Sequence, residues 1–102
     1  MPGRAEVDLN ADLGEREAVT EEDRAVIAAV SSVSIACGFH AGSTAVMRRT
    51  AEECAERGVV VGAHVAYRDR EGFGRRSVEV DPEVLMADVV EQYETLLSLI
   101  HI

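Results

Sequence analysis

Apolar and polar residues follow two different rhythms along this chain. From Glu6 to Leu9 they alternate every second position, and the alternation carries on to Asp12. Val7 and Leu9 fall on one face, and Asp8, Asn10 and Asp12 on the other. Successive side chains of a strand point to opposite faces, so this stretch predicts a strand with one apolar side and one acidic side. Ser32–Ala36 and Val59–Ala63 are short apolar runs that read as a second and a third strand. The third is apolar throughout, which predicts cover on both of its faces. Between the strands the spacing becomes helical. After a loop from Gly14 to Val19, Thr20-Glu-Glu-Asp23 places a capping hydroxyl ahead of acids and predicts a helix running to about Val30. Ser43 or Thr44 opens a second helix that reaches Arg57. Val46, Met47, Thr50, Ala51 and Cys54 form its core stripe, and Glu52, Glu53 and Glu56 its solvated face. Residues 64–80 form a long polar loop, of the kind that often carries function. Asp81-Pro82 then starts a third helix that continues to the end of the chain, whereas residues 1–5 read as a loose amino end.

The predicted order is β-α-β-α-β-loop-α, an α/β chain of parallel β/α units forming one domain without an internal linker. Right-handed crossovers make the three strands parallel. Their carboxyl ends then share one rim, and that rim is where α/β folds place their chemistry. The stretch Ser34-Ile-Ala-Cys-Gly-Phe-His-Ala-Gly42 passes from strand to turn to helix and leaves His40 at this rim. Asp12 and His64 close the other two strands in the same way.

Composition narrows the partners. The chain has 102 residues and a net charge of −9, and all 10 of its basic residues are arginine. An acidic chain without a basic stripe argues against nucleic acid and against an anionic membrane surface. No apolar run is long enough to span a bilayer, and Met1 leads almost directly into the first strand with no signal peptide. Cys37 and Cys54 make neither a disulfide framework nor a metal-type pair, so a reducing cytoplasm is the simplest location.

The rim supplies the candidate chemistry. Asp8, Asn10, Asp12, His40 and His64 bring carboxylate and imidazole together. These groups suit a divalent metal with open positions, for which Asp12, His40 and His64 are the candidate ligands. The same groups perform acid–base work without a metal. Taken singly, each residue has a plain structural role, the histidines as hydrogen-bonded strand ends and the aspartates as caps. Gly72-Phe-Gly-Arg-Arg76 lets backbone approach an anion and offers Arg75 and Arg76 as forks for carboxylate or phosphate, although a basic loop also pairs readily with neighbouring acids. Cys37, three residues before His40, is a small buried hydrophobe before it is a nucleophile.

Four stretches together carry a family resemblance: Asp8-Leu-Asn-Ala-Asp-Leu-Gly-Glu15, Ile35-Ala-Cys-Gly-Phe-His-Ala-Gly42, Val61-Gly-Ala-His64 and Gly72-Phe-Gly-Arg-Arg76. In this order and spacing they resemble the 5-oxoprolinase A-subunit family, also called the LamB/YcsF lactam-utilisation family. The resemblance covers roughly residues 6 to 97. It implies the amino-terminal part of a seven-stranded β/α barrel of the glycoside hydrolase/deacetylase kind. It further implies ATP-dependent opening of 5-oxo-L-proline (pyroglutamate) to L-glutamate, with ATP as co-substrate, a small lactam substrate and subunits B and C as partners. Carried over, Asp12, His40 and His64 are the catalytic candidates, and Asp8, Asn10, Arg75 and Arg76 the substrate-binding ones. The alternatives are a metal-dependent deacetylase-like hydrolase on the same barrel, or a non-catalytic fragment that only binds partner subunits.

The chain departs from the family pattern in its loops. Ser43-Thr44 stands where the family usually has Asp-Pro, and Val65-Ala-Tyr-Arg-Asp69 where it usually has Pro-Gly-Tyr-Pro-Asp. The loop between Glu15 and Thr20 is short. Ser98-Leu-Ile-His-Ile102 stops within a helix and reads as a truncated frame.

Overall fold

The fold is described from a computed structural model, which covers residues 5–100. Most of the expected loose amino end, and the last two residues of the expected third helix, lie outside the described residues. The elements are β1 (Asn10–Leu13), α1 (Glu21–Ala29), β2 (Ser32–Ala36), α2 (Thr44–Glu56), β3 (Val60–His64) and α3 (Pro82–Ile100). The strands form one parallel sheet in the order β1-β2-β3.

The register arranges the sheet in rows. Asn10, Ser32 and Val60 lie side by side, as do Asp12, Ser34 and Gly62. These rows share the open face of the sheet. The alternate rows, Ala11–Val33–Val61 and Leu13–Ile35–Ala63, face the helices. Val33, Ile35, Met47 and Cys54 are almost wholly buried there, with Leu13, Ile27, Ala51 and Leu96 around them. Burying one such large aliphatic side chain contributes about 1.5–3 kcal/mol. The core therefore lies between sheet and helices, and the polar strand face is left for chemistry.

Local signals explain the helix starts. Thr20 Oγ1 accepts from the Asp23 amide at 3.2 Å while Asp23 Oδ2 accepts from the Thr20 amide at 2.9 Å, a reciprocal capping box. Ser43 caps α2 by accepting from the Val46 amide at 3.3 Å. Asp81 accepts from the Glu83 amide at 2.8 Å, and Pro82 takes the first turn of α3.

Three expectations are corrected. The first strand is Asn10–Leu13 rather than Glu6–Leu9, because pairing with β2 begins at Asn10. Val7 and Leu9 are exposed, and Leu13 is the residue of this segment that enters the core. The third strand is Val60–His64 and is not covered on both faces: its helix side is half-buried, but Val60 on the other side is 67% exposed. Glu53 is not solvated. It is buried between α1 and α2, where Arg24 reaches it at 3.2 Å and Arg49 at 3.0 Å. A buried carboxylate is tolerated when cations and hydrogen bonds hold it in this way.

Candidate functional site

Each strand hands the rim one or two polar side chains. Asp12 sits on the open face of β1, one residue before the strand ends. Glu15 follows two residues after that end, beyond Gly14. The turn after β2 brings His40 back over the sheet, and His64 is the last residue of β3. The loops interlock closely. A side chain at Gly42 would collide with the Gly14 carbonyl oxygen, and Gly42 adopts φ +84°, which favours glycine. The loops after β1 and β2 can therefore touch backbone to backbone, which brings Glu15 beside His40.

At the centre, His40 is 3% exposed and its Nε2 stands 3.1 Å from Glu15 Oε2. His64 Nδ1 lies 3.8 Å from the same carboxylate oxygen and 3.9 Å from Asp12 Oδ2. The two imidazole rings meet edge to face with centroids 4.5 Å apart. Nδ1 of His40 and Nδ1 of His64 are buried and have no hydrogen-bond partner among the described residues. Buried polar atoms are ordinarily paired, so these two nitrogens mark the cluster as chemically incomplete.

The 64–80 loop folds over this centre. Phe73 packs its ring edge to face with His40 at 5.3 Å between centroids. Its φ of 57° is the one positive value on a non-glycine among the described residues. Such backbone persists only where surroundings impose it, often beside a functional site. A Cβ on Gly74 would come within 2.9 Å of His40 Cβ, so the loop rests directly on the histidine. The result is a pocket of about 540 Å³ lined by Asp12, Glu15, His40, His64, Phe73 and Arg75, with Tyr67, Leu85 and Val89 among its apolar walls.

The residues named from the sequence separate into groups. Asp12, His40, His64 and Arg75 meet at the pocket. Asp8 and Asn10 do not line it. Asp8 accepts from Ser31 Oγ, and from Ser32 Oγ at 3.3 Å; Asn10 bonds Ser32 at 2.9 Å and Ser34 at 3.2 Å, all along the strand face behind the rim. Arg76 points to Asp69, a carboxylate 4% exposed, with Nε at 3.1 Å and 3.2 Å from its two oxygens. That contact, with the Gly72 amide at 2.9 Å, holds the Asp69 carboxyl at about 2. Arg68 is tied to Asp88 and Glu91, and Arg70 donates to the Gly38 and Gly42 carbonyls at 2.7 Å and 2.9 Å. Of the arginines in this loop, Arg75 alone makes no side-chain hydrogen bond or ion pair among the described residues.

Glu15 is the residue that sequence reasoning passes over. It ends the first of the four family stretches, just past the first strand on the correct rim, and its position one residue after Gly14 is the available signal. Of the groups that could hold a cation, Glu15, His40 and His64 bring one ligand-type atom each to within 4.8 Å of one another. Cys37 is not a nucleophile candidate on this geometry. Burial pushes its thiol up, only partly offset by a backbone hydrogen bond involving His64, and its Sγ lies 3.2 Å from the Ile35 carbonyl oxygen.

Parallel β/α units with carboxylate and imidazole gathered at the carboxyl ends of the strands define a β/α-barrel protein with its site on the strand-end rim. Known proteins make this specific: the LamB/YcsF family matches residues 7–102, and the chain belongs to that family. It is similar to the 5-oxoprolinase A-subunit 1 of Agrobacterium fabrum, 53% identical over 94 residues, which cover 90% of this chain and 37% of that protein. It is also similar to the 5-oxoprolinase A-subunit of Mycobacterium ulcerans, 50% identical over 91% of this chain and 38% of that protein. Among solved structures, the lactam utilization protein from Thermus thermophilus matches with a TM-score of 0.86 and 40% identity. That match covers 93% of this chain and 39% of the other. The chain thus spans under two-fifths of the length of these relatives. Among the described residues, no helix is long and apolar enough to cross a membrane.

Proposed function

We propose that this chain contributes the Asp12–Glu15–His40–His64 rim of a 5-oxoprolinase A-subunit, which opens 5-oxo-L-proline to L-glutamate in an ATP-dependent reaction with subunits B and C. The observation that carries the reading is the pocket itself. It gathers four acid–base groups and one unpaired arginine in a chain whose relatives bear that name.

The chemistry has parts that these residues suit. ATP transfers its terminal phosphoryl group to the lactam oxygen, which makes the ring carbon electrophilic. One water adds to that carbon and the ring C–N bond breaks as the nitrogen takes a proton, which leaves an acyl phosphate; a second water then releases phosphate and the new carboxylate. His64, 30% exposed in its side chain and facing two carboxylates, is placed to take the proton from water. Glu15 holds the buried His40 ring, so that its orientation is set before substrate arrives. Arg75 offers its guanidinium to the substrate carboxylate, and the apolar wall of Tyr67, Leu85 and Val89 receives the ring methylenes.

The test is glutamate release from 5-oxoproline with ATP, subunits B and C and this chain in its full-length setting. Release that needs every component, and that His64→Ala abolishes, supports the proposal. Release undiminished by His64→Ala would point to the partner-binding role instead. No release from a folded complex would favour the deacetylase-like alternative, for which the paired histidines and Glu15 are the supporting observation.

A further inference from the structure

Glu15, His40 and His64 arrive from three successive strand ends, and their arrangement has more order than acid–base work requires. We infer that they form a binding site for a divalent first-row transition metal such as zinc, cobalt or manganese. Glu15, rather than the Asp12 expected from the sequence, supplies the carboxylate.

The distances support this. Ligands about 2.1 Å from such an ion lie about 3.0–3.4 Å from one another at octahedral or tetrahedral angles. His40 Nε2 and Glu15 Oε2 are already 3.1 Å apart, and His64 Nδ1 is 3.8 Å from that oxygen. A shift of a few tenths of an ångström closes the second edge. Asp12 Oδ2 is 3.9 Å from His64, its side chain is 53% exposed, and it is not one of the three converging groups. It lends negative charge beside the site without entering it.

Donor chemistry selects the ion class. Two imidazole nitrogens and one carboxylate suit first-row divalent metals better than magnesium or calcium, which favour oxygen. The partners agree. His64 Nδ1 is buried, faces two carboxylates and has no hydrogen bond among the described residues. His40 is 3% exposed and turns Nε2 toward the same point. The two rings stand 4.5 Å apart with Nε2 of one and Nδ1 of the other turned to the same Glu15 oxygen, where a cation would take all three atoms as ligands. The pocket opens on the same side, leaving room for further ligands. A Lewis acid here would polarise an amide or activated-lactam carbon–oxygen bond. The inference uses the site proposed above, with the base's task falling to the exposed Asp12 once His64 Nδ1 holds the ion, but does not depend on a lactam being the substrate.

The test reads metal binding, not turnover. Metal-free protein is titrated with Co²⁺, followed by visible absorption, and then challenged with Zn²⁺. One equivalent should bind and give the absorption of a low-symmetry nitrogen–oxygen site, and Zn²⁺ should displace it. Losing an outer partner of a metal site already costs about 10–100-fold in affinity, so Glu15→Gln and His64→Gln should each cost more than about 100-fold. Asp12→Asn should keep one equivalent within about tenfold. Circular dichroism establishes that each variant is folded. Imidazole ¹⁵N shifts of the Zn²⁺-loaded wild type give an answer without any variant, with His40 Nε2 and His64 Nδ1 both shifted as ligands. A folded wild type that binds no stoichiometric metal overturns the inference, as does Co²⁺ absorption unchanged by Glu15→Gln, or ¹⁵N shifts that show neither nitrogen ligated. Metal binding without lactam opening would sink the substrate reading and leave the site standing; lactam opening without metal would do the reverse.

Discussion

Two carboxylates near the strand ends are held in opposite ways. Asp69 is closed off: both oxygens meet Arg76, the Gly72 amide adds a further bond, and the group is 4% exposed. Glu15 is open. Its Oε2 meets one histidine at 3.1 Å and only approaches the other at 3.8 Å, and each histidine keeps a buried nitrogen without a partner among the described residues. Fully satisfied buried polar groups rigidify a structure, whereas partly satisfied ones mark places where something else is meant to bind or react. The first cluster therefore reads as the clamp that shapes the loop, and the second as the place the loop is shaped around. The distinction could not have come from residue type, since both clusters pair an acid with a potential cation.

The largest expected effect tests the open cluster. Glu15→Gln or His64→Ala should lower kcat of the assembled enzyme by about 100-fold or more, the usual contribution of a positioned acid–base group. Thermal stability should hold or rise, because neither change breaks a complete network. A melting temperature that falls together with activity would erase the contrast with Asp69.

A second test uses Gln92 of α3, which is wholly buried. Its Oε1 accepts from the Ala66 amide at 2.9 Å, and its Nε2 donates to the Ala66 and Asp88 carbonyls at 3.0 Å and 3.1 Å. Ala66 lies two residues beyond His64, so Gln92 sets where that histidine's loop leaves the sheet. Gln92→Leu leaves the half-buried Ala66 amide and carbonyl without their partner and should cost about 2 kcal/mol in chemical denaturation. Like Asp69, it is a closed group, so the loss should fall on stability first. A variant that kept its stability but lost turnover would place Gln92 with the open cluster.

The adjacent arginines offer a smaller and sharper contrast. Arg75 faces the pocket and Arg76 faces Asp69. Arg75→Ala should raise KM by about 10-fold, at the low end for a charge-assisted hydrogen bond, with little change in melting temperature. Arg76→Ala should lower the melting temperature first. Equal effects on KM would show that the loop does not separate their roles.

How much of this could be read from the chain depends on what sets each feature. β2 and α2 are readable to within a residue because local signals coincide there: an apolar run for one, a capping serine and a five-residue stripe for the other. β1 is misplaced by sequence reading because its alternation runs past both ends, and only pairing with Ser32–Ile35 decides where the ladder begins. The uncovered side of β3 is unreadable for a similar reason. An apolar run records what a strand tolerates, not what lies across from it. Asp12, His40 and His64 are legible because they end strands. Glu15 is not, because it follows a turn, where periodicity stops and only the close approach of Gly14 and Gly42 reveals its neighbours. Within Arg75-Arg76 no sequence rule tells the two apart, because the Asp69 that captures Arg76 lies seven residues back across a turn.

The finest test of the two carboxylates is pH. The Arg76 hydrogen bonds lower the Asp69 carboxyl from 3.8 to about 2, assisted by the Gly72 amide. A carboxyl whose folded value lies below its unfolded one stabilises the fold fully above the unfolded value and loses that contribution as pH falls through the folded value. Wild type should therefore exceed Asp69→Asn in melting temperature near pH 5. The gap should narrow as the solution is acidified from about pH 4 and be mostly gone near pH 2. Comparing the two proteins cancels the other carboxylates, which titrate over the same range in both. A gap that stayed constant from pH 5 to pH 2 would show that Arg76 does not hold Asp69 as a charged partner, and the closed carboxylate would lose its place in the comparison.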